Sequence, residues 1–297
     1  MAIRRDELGP LVALLAMTAA WGSTFFMIKD VVTRIGVPDL LALRFAIAAV
    51  ALAVIAGPRL RMSTTTLRRG LLLGLLYGVA QLLQTFGLAQ TAASVSGFLT
   101  GLYVVLTPLL SALLLRTRIP PAVWAASVLA TAGLGVLSLQ GFAIGYGELL
   151  TVASAVVYAL HIVALGRMSQ PGTALQLSVV QMATIAVVCG FAAVPGGLQL
   201  PTSAGDWVIV VYLALIAGAL TMLLQTWAQA RVEASRAAVI MAMEPVWAAA
   251  FAVAFGGEDV SGRMIIGGGA ILAAMYLVEL APRRRVVSSG GSGDHRR

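Results

Sequence analysis

The sequence repeats an apolar segment, and this internal duplication constrains the fold more than any other feature. Residues 82–86 (LLQTF) return as residues 223–227 (LLQTW), and Ser94 returns as Ser235, both at a shift of 141 residues. With gaps allowed, three more matches lie at a shift of 137: Trp21 with Tyr158, Arg44 with Gln181, and Thr107-Pro108 with Glu244-Pro245. If each copy crosses a membrane an odd number of times, the second copy is inverted relative to the first, as in many secondary transporters.

The composition places this duplication in a membrane. Hydrophobic residues make up 60% of the 297 residues and charged residues only 11%, whereas charged residues are about 25% of a soluble domain. Continuous apolar runs such as residues 40–56 argue against a β-barrel, whose strands alternate apolar and polar residues. A helical crossing needs roughly 20 apolar residues. Ten stretches supply them: 9–28, 37–57, 70–91, 95–115, 122–140, 144–166, 174–195, 206–230, 236–256 and 262–281.

We therefore predict an all-α integral membrane fold of ten transmembrane helices, arranged as two inverted five-helix repeats around a central cavity. The first repeat is predicted over residues 1–141 (helices 1–5) and the second over residues 142–282 (helices 6–10). Residues 283–297 are rich in Ser and Gly, which predicts a disordered cytoplasmic tail or a remnant of an expression vector. The first apolar run could be a secretory signal, but its cleavage would leave the first repeat with four crossings, so we interpret it as a retained helix.

Basic residues predict the orientation of the chain. Of the 20 Lys and Arg residues, 16 lie near crossing ends on the face that holds both termini, which we call the arginine-rich end. Only Lys29, Arg34 and Arg263 lie on the opposite face, the arginine-poor end. Because basic loops remain in the cytoplasm, we expect both termini to be cytoplasmic. A ratio of 19 Arg to one Lys is typical of GC-rich bacteria, so the predicted location is a bacterial inner membrane.

Several function classes are disfavoured. Cys189 is the only cysteine, so we expect no intrachain disulfide and no cysteine-based metal site, and nothing in the sequence calls for a cofactor. No loop is long enough for a catalytic domain, and the only lysine, Lys29, is not in a phosphate-binding loop, which argues against an enzyme and an ATP-driven pump. Basic residues scattered over short loops do not predict nucleic-acid binding. The expected partners are a small-molecule substrate and the lipid bilayer, with the chain monomeric or homodimeric.

Four motifs together resemble a known family. They are residues 19–23 (AAWGS), 43–45 (LRF), 97–103 (GFLTGLY) leading to Thr107-Pro108, and 242–246 (AMEPV). They resemble the drug/metabolite transporter superfamily and, more narrowly, its ten-helix EamA-type permeases, over about residues 9–281. The resemblance implies two inverted repeats, a central cavity and export of small metabolites from the cytoplasm. Within that group the chain is similar to bacterial amino-acid exporters, some of which prefer aromatic amino acids.

Two charged residues fall inside predicted spans, where charge is costly and calls for a reason. Arg44 lies in helix 2 and Glu244 in helix 9. One or both could contact a zwitterionic substrate, or Glu244 could carry an exchanging proton. The alternative is a structural ion pair or a snorkelling arginine. Their repeat counterparts, Gln181 and Thr107, are uncharged, so the fold itself does not require charge at these positions.

Amide and aromatic side chains mark the predicted cavity. Helices 3 and 8 each carry a polar stripe, which in lipid must face protein or water. His161 lies three residues beyond Tyr158, on the same helix face, and could couple a proton or bind substrate; a satisfied interhelical hydrogen bond is the alternative. Structural hydrogen bonds between helices and an interfacial aromatic belt are the alternatives for the remaining residues. The candidate substrate-binding residues are Trp21, Tyr77, Gln81, Gln84, Tyr103, Tyr158, His161, Gln225 and Trp227.

Glycines and prolines predict packing and bends. Gly70, Gly74 and Gly78 form a small-residue face on helix 3, which favours close helix packing. Pro108 and Pro245 match in the repeat and are predicted to bend helices 4 and 9 near the membrane midplane, because each removes a backbone hydrogen bond. Such bends suit alternating access, although static kinks that widen the cavity would look the same.

From these features we predict a secondary transporter that exports small amphiphilic metabolites, foremost hydrophobic or aromatic amino acids, by alternating access. Efflux of drugs and lipophilic quaternary cations is the alternative, because an aromatic cavity would suit them too. A channel would need a continuous polar pore, and the sequence offers only interrupted stripes. A membrane enzyme would need paired acid and base residues or a metal site, and no such constellation is found in the sequence, so no catalytic residue is predicted.

Overall fold

The computed structural model describes residues 5–115, 121–138, 145–232, 234–241 and 243–280, and these residues form helices joined by short loops, with no strand among them. Two 3₁₀ turns, Gly57–Leu60 and Val194–Gly196, and two π-helical segments, Leu215–Leu220 and Met264–Gly268, complete the regular structure. The helices are α1 (Arg5–Val31), α2 (Val37–Ala56), α3 (Thr64–Ala89), α4 (Ala93–Thr100), α5 (Tyr103–Leu115), α6 (Pro121–Ser138), α7 (Tyr146–Met168), α8 (Ala174–Ala193), α9 (Ala204–Ala214), α10 (Thr221–Gln229), α11 (Ala234–Met241), α12 (Glu244–Phe255) and α13 (Gly269–Leu280).

These helices make ten membrane crossings, as predicted. Crossings 1, 2, 3, 5, 6 and 7 are α1, α2, α3, α6, α7 and α8, and crossings 4, 8, 9 and 10 are built from shorter helical pieces. Within the described ranges, seven segments are long and apolar enough by length and composition to span a membrane: Leu8–Val31, Val37–Ala56, Thr64–Ala89, Ala93–Leu114, Tyr146–Met168, Ala174–Gly196 and Ala204–Gln229. Crossing 3 departs most from its predicted start at residue 70, because the Ser63 side chain accepts the Thr66 N–H at 3.1 Å and caps the helix early. The predicted boundary at residue 141 and the tail from residue 283 lie outside the described residues.

The helix packing has the symmetry of a duplicated bundle. Crossings 2, 4 and 5 each pack against their own counterparts, crossings 7, 9 and 10. The remaining contacts occur in matched pairs: crossing 3 packs against 6 as crossing 8 packs against 1, and crossing 1 packs against 9 as crossing 6 packs against 4. The fold is therefore two interlocked, inverted five-helix repeats rather than two separate bundles.

Glycines allow close packing between the repeats where α3 contacts α8. A Cβ atom on Gly70 would lie 2.6 Å from Val180 Cβ, and one on Gly74 would lie 2.6 Å from Thr184 Cβ. Real Cβ atoms do not approach so closely, so the helices can pack at this distance only because the glycines lack side chains. The predicted packing role of the helix 3 glycines is confirmed.

Polar contacts join the repeats at the arginine-poor end. Glu258, after α12, accepts the Ala93 N–H at 2.6 Å and also bonds Ser94, so a carboxylate of the second repeat caps α4 of the first. Arg34 pairs with Asp206 at 2.7 Å and with Asp30 at 2.6 Å. Hydrogen bonds to Asp30 and Asp206 raise the pKa of Arg34 above its ordinary value, so the guanidinium stays charged. Arg34 and Glu258 therefore each hold a residue of the other repeat at this end of the bundle.

Candidate functional site

Two interrupted helices cross at the centre of the bundle. Crossing 4 is broken between α4 and α5, at residues 101–102, and crossing 9 is broken between α11 and α12, around Met243. The two breaks are 141 residues apart in sequence, so this part of the repeat follows the longer shift. The helix after each break therefore begins with an equivalent residue, which is Tyr103 in α5 and Glu244 in α12.

This register corrects the predicted match of Thr107-Pro108 with Glu244-Pro245. Pro108 lies inside α5, well after the break. Pro245 lies in the first turn of α12. A backbone N–H there has no acceptor within the helix, so a proline breaks no helical hydrogen bond. The two prolines are thus not at equivalent positions, and neither break lies at the proline. Sequence matching misassigned them because the Thr-Pro and Glu-Pro pairs look alike, whereas the helix ends define the true register.

One hydroxyl group ties the two breaks together. The Tyr103 hydroxyl lies 3.0 Å from Glu244 Oε2 and 2.9 Å from the Met241 carbonyl oxygen, so it can donate to either oxygen. The Met241 carbonyl is at the end of α11, where helix geometry leaves carbonyls without an intrahelical partner. Tyr103 thus satisfies the backbone of one interrupted helix and the buried carboxylate that begins the next.

A cavity lies beside this crossing. Its volume is about 40 Å³, far below the roughly 300–1,000 Å³ of typical small-molecule pockets. The side chains are therefore drawn together, and an amino-acid-sized solute needs them to part. The lining residues are Trp21, Thr24, Phe25, Ile28, Arg44, Tyr77, Gln81, Gln84, Thr100, Tyr103, Tyr158, His161, Ile162, Gln225, Met241 and Glu244.

Most of the predicted site residues line this cavity, and one tryptophan does not. Trp227 lies two residues after Gln225, about 200° around the helix at 100° per residue. Its ring lies 4.6 Å from the guanidinium of Arg231 at the arginine-rich end. Trp227 is therefore not among the residues that line the cavity, because it lies on the other side of the helix from Gln225.

Six lining residues were missed by the sequence analysis, although most had a signal. Thr24, Phe25 and Ile28 lie three, four and seven residues after Trp21, which is one face of α1. Thr100 and Met241 are repeat counterparts at the shift of 141 and end the first halves of the broken helices. Ile162 follows His161 and lies four residues after Tyr158, so helical spacing indicated it as well.

Trp21 is fixed by an irregularity in crossing 8. Its indole N–H donates to Thr221 Oγ1 at 2.9 Å and approaches the Ala217 carbonyl oxygen at 3.2 Å. Ala217 lies in the π-helical segment Leu215–Leu220, and such segments occur often at functional sites. The ring is therefore held against the cavity by the opposite repeat.

Arg44 is buried in the cavity wall with few partners. Its side chain is 3% exposed, Nη2 donates to Gln81 Oε1 at 3.3 Å, and the guanidinium lies 4.4 Å from the Phe45 ring centroid. Nε and Nη1 have no hydrogen-bond partner in the part of the chain that the structure describes. Among the described residues Arg44 forms no ion pair with Glu244, whose bonded partner is Tyr103. The predicted structural ion pair is therefore not formed.

The two repeat-related amides differ in how completely they are bonded. Gln84 accepts the Tyr158 hydroxyl at 2.9 Å and donates to Thr100 Oγ1 at 3.0 Å. Gln225 makes the symmetry-equivalent contact with the Met241 sulfur, at 3.9 Å, and its Oε1 is buried without a partner. Because a thioether is a weak acceptor, the Gln225 amide is the more available of the two to a solute.

His161 makes an interhelical hydrogen bond, which the sequence analysis gave as the alternative to a role in proton coupling or substrate binding. Its Nε2 lies 2.9 Å from Gln181 Oε1, and its ring meets the edge of Tyr77 at 5.0 Å between centroids. Nδ1 is buried without a partner. A role in proton coupling stays a prediction. Across the part of the chain that the structure describes, no group of three or more His, Cys, Asp or Glu side chains could hold a metal ion.

Comparisons with known proteins agree with this architecture. A family model described as the EamA-like transporter family matches residues 8–139 and again residues 145–280, so its two matches begin 137 residues apart and end 141 residues apart. An uncharacterized transporter of Archaeoglobus fulgidus is 27% identical over 270 residues, which cover 91% of this chain and 84% of that protein. One solved structure, titled only as the crystal structure of a protein, is similar in fold, with a TM-score of 0.65 and 23% identity over 90% of this chain and 96% of that one.

Proposed function

We propose that this chain, which belongs to the EamA-like transporter family, exports small amphiphilic metabolites, foremost hydrophobic or aromatic amino acids, by alternating access. It is then a secondary transporter, because inverted repeats around a central site can expose that site to each side in turn. The single observation that supports this most is the cavity between the two interrupted helices. It joins aromatic and apolar walls to one cation, Arg44, and one acid, Glu244.

Lipophilic cation efflux is the second candidate. Glu244 and the rings of Tyr77, Tyr103 and Tyr158 could bind a quaternary ammonium group, through charge and through the faces of the rings. Arg44 lines the same cavity, however, and a fixed cation repels another cation. An amino acid carries both charges and suits both residues, so we favour it.

For the direction of transport we propose that both termini face the cytoplasm of a bacterial cell. The support is the arginine distribution in the sequence, which puts 16 of 20 basic residues at one end. Labelling of single cysteines at Ala2 and at Ala92 in intact cells tests it. We expect Ala92→Cys to react with an impermeant thiol reagent and Ala2→Cys to be protected, and the opposite pattern would contradict the orientation.

Flux through the purified protein tests the function. In proteoliposomes we expect counterflow of labelled phenylalanine or leucine that saturates with concentration, since a carrier has a limited number of sites. Flux that rises linearly would indicate a channel. Counterflow of tetraphenylphosphonium without that of any amino acid would support cation efflux instead, and no flux with any solute would count against transport.

A proton-coupling role is proposed for Glu244, with His161 as the second candidate. If Glu244 carries the proton, Glu244→Gln should abolish accumulation driven by a pH gradient while counterflow continues, because exchange needs no net proton movement. Asp259→Asn, an exposed acid in the loop after α12, is the matched control. Normal gradient-driven accumulation in both Glu244→Gln and His161→Gln would exclude the two residues from coupling.

A further inference from the structure

We propose that Arg44 is the carboxylate-binding residue of the central cavity, so that the transporter selects solutes by a free carboxylate and rejects the corresponding amines. This inference rests on the proposed function and deepens it. It assigns the acid group of the solute to one side chain, and it makes headgroup charge the first criterion of selection, ahead of side-chain shape.

The first argument is the bonding of Arg44. A guanidinium carries five N–H donors, and it stays charged in proteins. Here one nitrogen, Nη2, reaches Gln81 Oε1 at a long 3.3 Å, while Nε and Nη1 have no partner. Buried donors are normally satisfied, so the unused nitrogens are donors that a carboxylate could accept from. A carboxylate binds bidentately across Nε with Nη2 or across Nη1 with Nη2, and each of these pairs contains one unused nitrogen.

The second argument is the charge around Arg44. Glu244 is the only acid among the lining residues that the structure describes, and its bonded partner is Tyr103 at 3.0 Å rather than Arg44. The neighbours that Arg44 does contact, Gln81 and Phe45, are neutral. A buried cation without a counter-ion is costly, so binding a negatively charged group here removes an unfavourable charge as well as making hydrogen bonds.

The third argument concerns which anion fits. One arginine and one glutamate make the cavity neutral overall, which matches a zwitterion and disfavours a doubly charged phosphate. Gln225 Oε1 is buried without a partner in the same cavity and can accept from an ammonium group, as can Glu244. The apolar wall of α1, with Phe25 and Ile28, is left for the side chain.

The test compares headgroups on a constant side chain. Dissociation constants are measured for the purified full-length protein with phenylalanine, 3-phenylpropionate and 2-phenylethylamine, and with leucine, 4-methylpentanoate and isopentylamine in parallel. In each series we expect the amino acid and the carboxylic acid to bind about 10- to 100-fold more tightly than the amine. This is the range for hydrogen bonds to a charged group. An amine that binds as tightly as its amino acid would overturn the inference.

Substitutions at Arg44 separate this inference from the proposed function. In Arg44→Gln we expect the affinity for the amino acid and the carboxylic acid to fall to that for the amine, and in Arg44→Lys to fall part of the way. The control, Arg231→Gln, changes an exposed arginine and should keep the full difference in affinity between acids and amine. Amino acids bound equally well by Arg44→Gln and by the original protein would overturn the role of Arg44 and leave amino-acid export standing. Tighter binding of the amine than of the amino acid and the carboxylic acid would overturn both the role of Arg44 and amino-acid export. If Arg44→Gln does not fold, Arg44→Lys and the headgroup series still decide.

Discussion

The two repeats place the same amide at the same point of the bundle and bond it differently. Gln84 of the first repeat is bonded at both ends of its amide, to Thr100 and Tyr158. Gln225 of the second repeat has only the Met241 sulfur at 3.9 Å, and its oxygen is unpartnered. The same position of the scaffold is therefore saturated with hydrogen bonds in the first repeat and available to a solute in the second.

The two buried charged residues also differ from their counterparts in the other repeat. Arg44 has a neutral counterpart, Gln181, which bonds His161 at 2.9 Å. Glu244 has a neutral counterpart in Tyr103, which bonds it directly. Since the symmetric scaffold has a neutral residue at either position in the other repeat, we propose that the charges serve transport rather than folding. The places where the repeats differ are therefore the places where we locate function.

The largest effect should follow from removing the charge of Arg44, which its counterpart Gln181 lacks. Arg44→Met removes a buried cation without a counter-ion and keeps the side-chain volume, so we expect the substrate-free protein to gain about 1–4 kcal/mol of stability. Thermal unfolding in detergent measures the change. Arg34→Met is the matched control and should destabilise instead, because Arg34 has two carboxylate partners. Destabilisation by Arg44→Met would mean that Arg44 has a structural role.

The next effect concerns the contact by which the second repeat caps the first. Glu258→Gln removes the charge that accepts from Ala93 and Ser94 at the start of α4, which should cost about 1–2 kcal/mol. We expect the arginine-poor end to open more often, seen as faster thiol labelling of Ala92→Cys in the Glu258→Gln background. Asp259→Asn, exposed and adjacent, should leave the labelling rate unchanged. An equal rate in both backgrounds would show that this cap does not restrain opening.

A smaller effect compares the two amides directly. Gln84→Leu leaves the Tyr158 and Thr100 hydroxyls without their partner and should cost about 1–2 kcal/mol, whereas Gln225→Leu loses only a weak contact and should cost less. For substrate binding we expect the reverse order, with Gln225→Leu the more harmful. Unfolding and dissociation constants of both variants give the two orders. Equal losses in both measurements would remove the distinction between the repeats.

The smallest effect on substrate affinity is expected from substituting Trp21 and Trp227, both of which the sequence analysis predicted to line the cavity. Trp227→Phe changes a residue outside the cavity, so substrate affinity should stay within about two-fold. Trp21→Phe loses part of the cavity wall and the hydrogen bond to Thr221 at 2.9 Å, and should weaken binding more. A clear loss of affinity in Trp227→Phe alone would put that residue back in the site.

Much of the fold could be read from the sequence, because the bilayer imposes strong rules. Ten crossings follow from the lengths of the apolar stretches, and the internal repeat indicated the symmetric packing. Most lining residues were also found, because buried polar and aromatic side chains are rare in spans. The errors came from rotation and register: Trp227 lies on the other side of its helix from Gln225, and Pro108 was matched to Pro245 at the wrong shift.

Bonding between distant helices was beyond sequence reasoning. Arg44 and Glu244 looked like a natural ion pair, yet each has a different neutral neighbour. The cap on α4 by Glu258 joins residues 165 positions apart, and nothing local to either residue indicates it. Distances of a few ångströms between helices decide such contacts, and these depend on how all the helices pack.

The sequence by itself determined that the chain lies in a lipid bilayer, how many times it crosses and that it is duplicated. The crossings could be found because the need to bury the backbone in lipid and the cost of charge there act on each segment separately. Only the tertiary structure decided which polar groups are satisfied and which are left open in the cavity. A hydrogen bond needs both partners within about 3 Å, and that proximity is a property of the packed bundle.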